Sequence, residues 1–385
     1  MKMPWKEKTV KSMRETFVNR VLEREKSMSA LCREYGISRK TGYKWLERAR
    51  SGQGLEDLSR APKQVANKTH EAVEKLILQT RDEHPAWGPR KLGRHLENKG
   101  YEELPSKSTI GNIIKRNNRI EPETSESHKP MRRFEYAQPN ELWQMDYKGD
   151  FGLLDGKRCY PLIIIDDHSR YSLSVKASGG ITYKEFKPEL ERVFEEYGLP
   201  KAIMCDNGKP WGDSKGGITT FDVWMMQLRI LPLHIRPKHP QTQGKCERFN
   251  GTLNREVIKR RMIANLTEAQ QLFDPWREEY NRERPHEALG MEVPAKRYRV
   301  SKRKYSETLK EPEYETGARL RKVNYKGYIS INQHRYYIGE ALTDKYLLLC
   351  DDGEDELRLH YGKYQIAKIN LNERMITSKH IYKAP

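Results

Sequence analysis

Residues 141–151, ELWQMDYKGDF, read as a β-strand with an acid inside it. Strand alternation puts Asp146 on the face of Gln144. A charged residue in mid-strand is costly unless it is paired or bound to a metal. Two more strands follow across short turns, RCYPLIIIDDH (158–168) and RYSLSVKA (170–177), the first turn falling at Asp155-Gly156. Beyond them TYKEFKPELERVFEEYG (182–198) has helical spacing and stops at Gly198 and Pro200. KAIMCD (201–206) is a buried strand, GITTFDVWMMQLR (217–229) a helix and ILPLHIR (230–236) another strand. Three antiparallel strands followed by alternating helices and strands define an α/β core: a mixed sheet with helices on its faces.

The next block, HPQTQGKCERFNG (239–251), opens a further helix. Cys246, Phe249, Leu253 and Val257 make its apolar stripe. Glu247 lies on the flank of that stripe, level with Gln243, Asn250 and Asn254, while Lys245, Arg248 and Arg255 take the opposite side. LTEAQQLFDPWREEYNRERP (266–285) supplies one more helix. Taken singly, Glu247 reads as a solvated surface glutamate and Asp206 as a turn-capping aspartate. Together with Asp146 they are three carboxylates on two strands and a helix of one sheet, a set that can converge on a divalent metal, for which oxygen ligands are required. Asp166, Asp167 and His168 sit at a strand-to-strand turn, and hairpin and sheet-edge roles are expected of them.

Before the core, residues 1–120 carry 27 Lys and Arg against 15 Asp and Glu, two thirds of the net +18 of the 385-residue chain. An excess of this size implies a polyanionic partner, with nucleic acid the leading candidate. MSALCREYGISRKTGYKWLERAR (28–50) reads as a helix, a turn at Gly36-Ile37 and a second helix capped by Ser38. Arg39, Lys40, Thr41, Tyr43 and Lys44 crowd the start of that second helix, where a recognition helix meets base edges and phosphates. EAVEKLILQTRDEH, WGPRKLGRHLENKG and PSKSTIGNIIKRNN, between 71 and 118, suggest a second helix-turn-helix, with Lys107, Ser108, Thr109, Asn112, Lys115 and Arg116 as its DNA-facing set. The same pattern would serve a structural helical bundle. Near Glu247, Lys245 and Arg248 are expected on the DNA backbone.

After the core, KRYRVSKRK (296–304) gives a basic, linker-like segment. Residues 327–369 then alternate apolar and polar and turn at Asp352-Gly353, as a small five-stranded β-barrel would. The expected organisation is therefore multidomain: all-α helix-turn-helix units at 1–60 and 61–122, a linker at 123–138, the α/β core at 139–290, a basic linker at 291–318 and a C-terminal β-barrel at 319–385. The five cysteines (32, 159, 205, 246, 350) form no C-x-x-C pair or His/Cys cluster, so neither disulfides nor a structural zinc is expected. With no apolar run long enough to span a bilayer and no signal-peptide core at the start, a cytoplasmic, nucleoid-associated location is expected and no membrane partner.

WQMDYKG, IIIDDHSRY, MCDNGKPW and HPQTQGKCERFNGTLNRE resemble the signature blocks of DDE transposases of bacterial insertion sequences, with a retroviral-integrase-type, ribonuclease-H-like core. The 40 residues between Asp206 and Glu247 are near the spacing such cores use, and YNRERPHEALGMEVPAKRY is similar to the segment that closes them. The resemblance runs over roughly residues 20–300. Two departures are visible: no His/Cys zinc module precedes the core, and Lys209 follows Asp-Asn-Gly where a small or apolar residue is common. The resemblance implies that Asp146, Asp206 and Glu247 are catalytic and hold two Mg²⁺ ions, with Mn²⁺ as a substitute, for phosphodiester transfer without a protein nucleophile. It also implies binding of double-stranded DNA, both the terminal inverted repeats of a mobile element and its target, by a homo-oligomer on paired ends. The expected activity is that of a DNA transposase, a polynucleotidyl transferase that cleaves and joins strands. A non-catalytic DNA-binding regulator on a decayed core is the alternative, and a nuclease without strand joining a third reading.

Overall fold

The computed structural model describes residues 10–57, 69–119, 135–213, 216–234, 244–378 and 381–383. Residues 239–243 of the Glu247 block, most of the 123–138 linker and much of the connector before residue 69 lie outside them. The chain divides into two compact units, residues 1–68 and 69–385.

The first unit is a three-helix domain of α1 (Val10–Leu22), α2 (Met28–Glu34) and α3 (Arg39–Arg50). Ser27 and Ser38 cap α2 and α3, their hydroxyls accepting from the Ala30 and Thr41 amides. Phe17, Val18, Leu31, Cys32, Trp45 and Leu46 form its core. Gly42 lets α3 lie close on its neighbours, because a Cβ there would fall 2.6 Å from Cys32 Sγ.

The second unit opens with α4 (Glu71–Glu83), α5 (Pro89–Asn98) and α6 (Lys107–Arg116). Pro89 stands at the first turn of α5, where its missing N–H costs nothing, and Ser106 caps α6. Trp87, Leu92, Leu96, Ile110, Ile113 and Ile114 form the core of this trio with Ile77.

The central sheet follows: β1 (Leu142–Tyr147), a small ladder of β2 (Phe151–Gly152) and β3 (Arg158–Cys159), then β4 (Leu162–Asp166) and β5 (Ser172–Lys176). Next come α7 (Tyr183–Tyr197), β6 (Ala202–Cys205), α8 (Thr220–Gln227), β7 (Leu231–His234), α9 (Gly244–Glu256) and α10 (Leu266–Arg282). The order is β5-β4-β1-β6-β7. β5, β4 and β1 are antiparallel, whereas β1, β6 and β7 are parallel. Alternation divides the apolar residues between two faces: Trp143, Met145 and Ile164 pack on α7 and α8, and Ile163 and Ile165 pack on α9 and α10.

Within residues 291–318, read from sequence as a linker, the stretch from Tyr298 to Tyr305 packs on this core after the short α11 (Pro294–Arg297). Tyr298 stacks on Tyr171 with ring centres 4.4 Å apart. The Arg303 guanidinium donates to the carbonyls of Leu228 and Arg229, each at 2.9 Å, and to that of Pro200.

The C-terminal region contains β8 (Leu320–Lys322), β9 (Tyr328–Ile331), β10 (His334–Tyr337), β11 (Tyr346–Asp351), β12 (Glu356–Tyr361), β13 (Tyr364–Asn370), β14 (Met375–Ser378) and β15 (Tyr382–Lys383). It is not the closed barrel expected from its alternation. The sheet runs β14-β13-β12-β11-β8 with β15 also on β13, β9 and β10 pair only with each other, and no ladder among the described residues joins the two edges. The reason lies in what covers the apolar face. Ile218 and, from α8, Val223 and Met226 pack into the same core as Ile329, Leu347, Leu359 and Ile369, so burial is completed by a helix instead of by sheet closure. The Gly339 backbone meets Ile218 so closely that a Cβ would lie 2.4 Å from the Ile218 oxygen. No helix among the described residues is long and apolar enough to cross a membrane.

Candidate active site

β1 and β6 pair in parallel with Gln144 opposite Met204. Carried two residues on, that register sets Asp206, where the β6 ladder stops, beside Asp146. Helix α9 packs against β1, driven by Cys246, Phe249 and Leu253, all buried. Phe249 is clamped edge-on by Trp276 and Tyr280 of α10, with centres 5.4 and 4.7 Å away. Because this stripe faces inward, the adjoining flank of α9 faces the strand ends.

Two residues on that flank bear on Asp146. Asn250 Nδ2 donates to Asp146 Oδ2 at 3.1 Å. Glu247, one turn earlier, is exposed, and no hydrogen bond or ion pair holds its carboxylate among the described residues. Burial pushes the Asp146 carboxyl up to about 6; the Asn250 hydrogen bond opposes the rise, and the negative charges of Asp206 and Glu247 add to it. The three acids thus share one electrostatic neighbourhood. They do not converge side chain to side chain: among the described residues no group of three His, Cys, Asp or Glu is gathered closely enough to hold an ion.

The chemistry of the donors nevertheless suits a hard divalent cation. All three are carboxylates, and Asn250 Oδ1 is buried beside Asp146 with no hydrogen-bond partner among the described residues. A buried orphan acceptor is costly, and a hydrated cation at Asp146 would give it a donor. The Asp206 carboxylate accepts from the Gly208 amide at 3.0 Å, which orients the loop carrying the exposed Lys209.

The turn acids have structural partners. Asp166 accepts from the Asn140 amide at 2.7 Å and from the Ser169 amide and hydroxyl. His168 Nδ1 is 2.9 Å from the Tyr136 carbonyl. Asp167 accepts from Gln144 and Tyr136 and pairs with Lys245 at 2.5 Å. That pair gives Lys245 a structural partner. Its side chain is 14% exposed, and its charge lies against a fully buried carboxylate. Arg248 is exposed.

On α3 the Arg39, Lys40, Tyr43 and Lys44 side chains are exposed, and Thr41 is half-buried against Ser38 at 2.9 Å. On α6, Lys107, Ser108, Asn112 and Lys115 are exposed, and Thr109 contacts Ser106 at 3.1 Å. Arg116 is bound to Glu74 of α4, which neutralises part of the charge expected of it. In the sequence Asn250 stands out only as a neighbour on the flank of Glu247. Its i+3 spacing is the available signal, since residues three apart share a helix face.

Family models agree with this architecture. Two integrase core domain models match residues 137–240 and 228–294; a helix-turn-helix domain model matches 13–63 and a homeodomain-like domain model 41–114. Residues 137–294 are thus similar to integrase core domains, and the residues before them to helix-turn-helix domains. More particularly, the chain resembles insertion-sequence transposases. It is 29% identical over 159 residues to an uncharacterized protein of insertion element IS476 from Xanthomonas euvesicatoria, covering 41% of this chain and 44% of that one. It is 27% identical over 157 residues to a protein of IS407 from Burkholderia multivorans, covering 41% and 54%. To the transposase for insertion sequence element IS21 of Pseudomonas aeruginosa it is 25% identical over 190 residues, covering 47% and 48%. The chain thus spans about half the length of these curated relatives. Among solved structures it is similar to the HTLV-2 integrase catalytic core domain in complex with magnesium, at 16% identity and a TM-score of 0.32 over 42% of this chain and 97% of that one.

Proposed function

We propose that the chain is a DNA transposase that binds the terminal inverted repeats of a mobile element and cleaves and joins DNA strands with a divalent metal. The observation that carries this reading is the common electrostatic neighbourhood of Asp146, Asp206 and Glu247, on neighbouring parallel strand ends and the helix packed against them. In this reading the three carboxylates are oxygen ligands for Mg²⁺, or Mn²⁺ in its place, and Glu247, unrestrained among the described residues, swings inward to join the other two. Bound there, Mg²⁺ supplies activation of the attacking oxygen and stabilisation of the leaving one. Asn250 holds the Asp146 carboxylate in place and offers its free Oδ1 to a water in the site. Water, or a 3′-hydroxyl, forms the new bond to phosphorus and gives its proton to solvent; the phosphorus–oxygen bond to the departing strand breaks, and the leaving oxygen takes up a proton from solvent to end as a hydroxyl.

Arg39, Lys40, Thr41, Tyr43 and Lys44 of α3, and Lys107, Ser108, Thr109, Asn112 and Lys115 of α6, contact repeat DNA, and Arg248 contacts the backbone near the acids. The working form is a symmetric oligomer that pairs two ends.

Purified protein is incubated with labelled element ends, Mg²⁺ and a target plasmid. Strand-transfer product from wild type, and its loss in Glu247→Gln, Asp146→Asn and Asp206→Asn without loss of end binding, is the expected result. The exposure of Glu247 and the absence of a gathered acid cluster among the described residues favour a second reading, a non-catalytic DNA-binding regulator. That reading expects end binding with no product from any of the four proteins.

A further inference from the structure

His234 ends β7 opposite Cys205, so it stands on the next strand beside the residue that precedes Asp206. Its ring is contacted at both nitrogens. Nε2 lies 2.6 Å from Asp222 Oδ1, and Nδ1 lies 3.3 Å from the Asp206 carbonyl oxygen and 3.7 Å from Cys205 Sγ. Asp222 is itself fixed. It is 2% exposed, and its other oxygen accepts from the amide and hydroxyl of Thr219, each at 2.8 Å, in the capping box that starts α8. Carboxylate and carbonyl oxygens only accept, so each ring nitrogen donates where both contacts form. A chain of hydrogen bonds therefore runs from the cap of α8 through the imidazole to the Asp206 peptide, the point at which the β6 ladder has ended.

We propose that Asp222 and His234 are positioning residues for Asp206: they brace its carbonyl and thereby fix the direction of its side chain at the metal site. The proposal rests on the reading of Asp206 as a metal ligand. The contact holds the Asp206 carbonyl, and with it the Cα from which the carboxylate projects, against the imidazole. Through Asp222 the brace ties that backbone to the buried, capped start of α8 behind the site. Outer partners that orient a ligand change metal affinity by about ten- to a hundredfold when removed.

Two substitutions separate this role from simple packing. Asn places an amide nitrogen where Nδ1 stands, so His234→Asn keeps the donor to Asp206 and drops the bond to Asp222. Gln reaches as far as Nε2, so His234→Gln keeps the bond to Asp222 and drops the donor to Asp206. The measurement is Mn²⁺ binding to the full chain without DNA, followed by the paramagnetic resonance of free Mn²⁺, with urea midpoints as the folding control. Expected are loss of binding in Asp206→Asn, about tenfold weaker binding in His234→Gln and His234→Ala, and binding only about threefold weaker than wild type in His234→Asn, which keeps the contact on Asp206 without the hold from Asp222. Undiminished binding by Asp206→Asn removes the metal reading itself and the brace with it. With Asp206→Asn impaired, Gln binding as well as Asn, or Asn as poorly as Gln, overturns the brace alone.

Discussion

Asn250 Nδ2 donates to Asp146 Oδ2 across 3.1 Å, and this bond ties the helix that carries Glu247 to the strand that carries Asp146. Asn250→Ala removes a hydrogen bond to a charged acceptor, worth about 1.5–3 kcal/mol, and with it the restraint on the Asp146 carboxylate. Strand transfer should fall about tenfold, with terminal-repeat binding unchanged. Full product yield from the Ala variant at matched protein concentration would show that the bond is only a helix tether.

The Lys245–Asp167 pair gives a prediction opposite to a DNA-contact role. Lys245→Met leaves a fully buried carboxylate without its cation, at a cost of about 3–5 kcal/mol. Arg248→Ala, on the exposed side, should move stability by less than about 0.5 kcal/mol and weaken DNA binding. Urea denaturation and filter binding on the two variants distinguish the roles, and equal urea midpoints would contradict the assignment of Lys245.

For end recognition, Arg39→Ala combined with Lys44→Ala should weaken binding to terminal-repeat DNA. It should also flatten the dependence of log K on log salt by about 0.9 for each phosphate that is no longer neutralised. Both side chains are exposed on α3, so the fold should be untouched. An unchanged salt slope in titrations between low and moderate salt counts against α3 as the reading helix.

Acid should unfold the core through His286. Burial, then the charge of Arg284, push its imidazole down to about 3, against the backbone bond to Tyr280 that favours the charged ring. The folded form therefore takes up its proton less readily than the unfolded chain, whose value is near 6.5. The stability that neutral His286 allows is fully present above pH 6.5 and drains away as pH falls toward 3. Urea midpoints measured from about pH 7.5 to about 4.5 should drop in wild type and drop less in His286→Gln. Parallel curves would assign the acid sensitivity elsewhere.

Much of this molecule is decided by chain-local physics. Period-two alternation in 141–177 and period-3.6 spacing in 183–197 and 244–256 specify strands and helices because each segment buries one face or stripe whatever its neighbours are. Ser38 and Ser106 start their helices by satisfying amides three residues on. Asp146 stands out too, since a carboxylate inside an apolar strand needs a reason, whereas Asp206 and Glu247 stand out only beside it. What the order of residues could not decide is how faces meet. The alternation of 327–369 is as compatible with a closed barrel as with an open sheet, and the packing of Val223 and Met226 from α8 into that core is not visible in it. Lys245 and Arg248 look equivalent in sequence. Tertiary structure separates them by bringing Asp167, 78 residues away, to 2.5 Å from one and not the other. The pairing of Asn250 with Asp146 and of His234 with Asp222 likewise joins residues far apart in the chain or on separate elements, and such contacts exist only once the sheet has set the register.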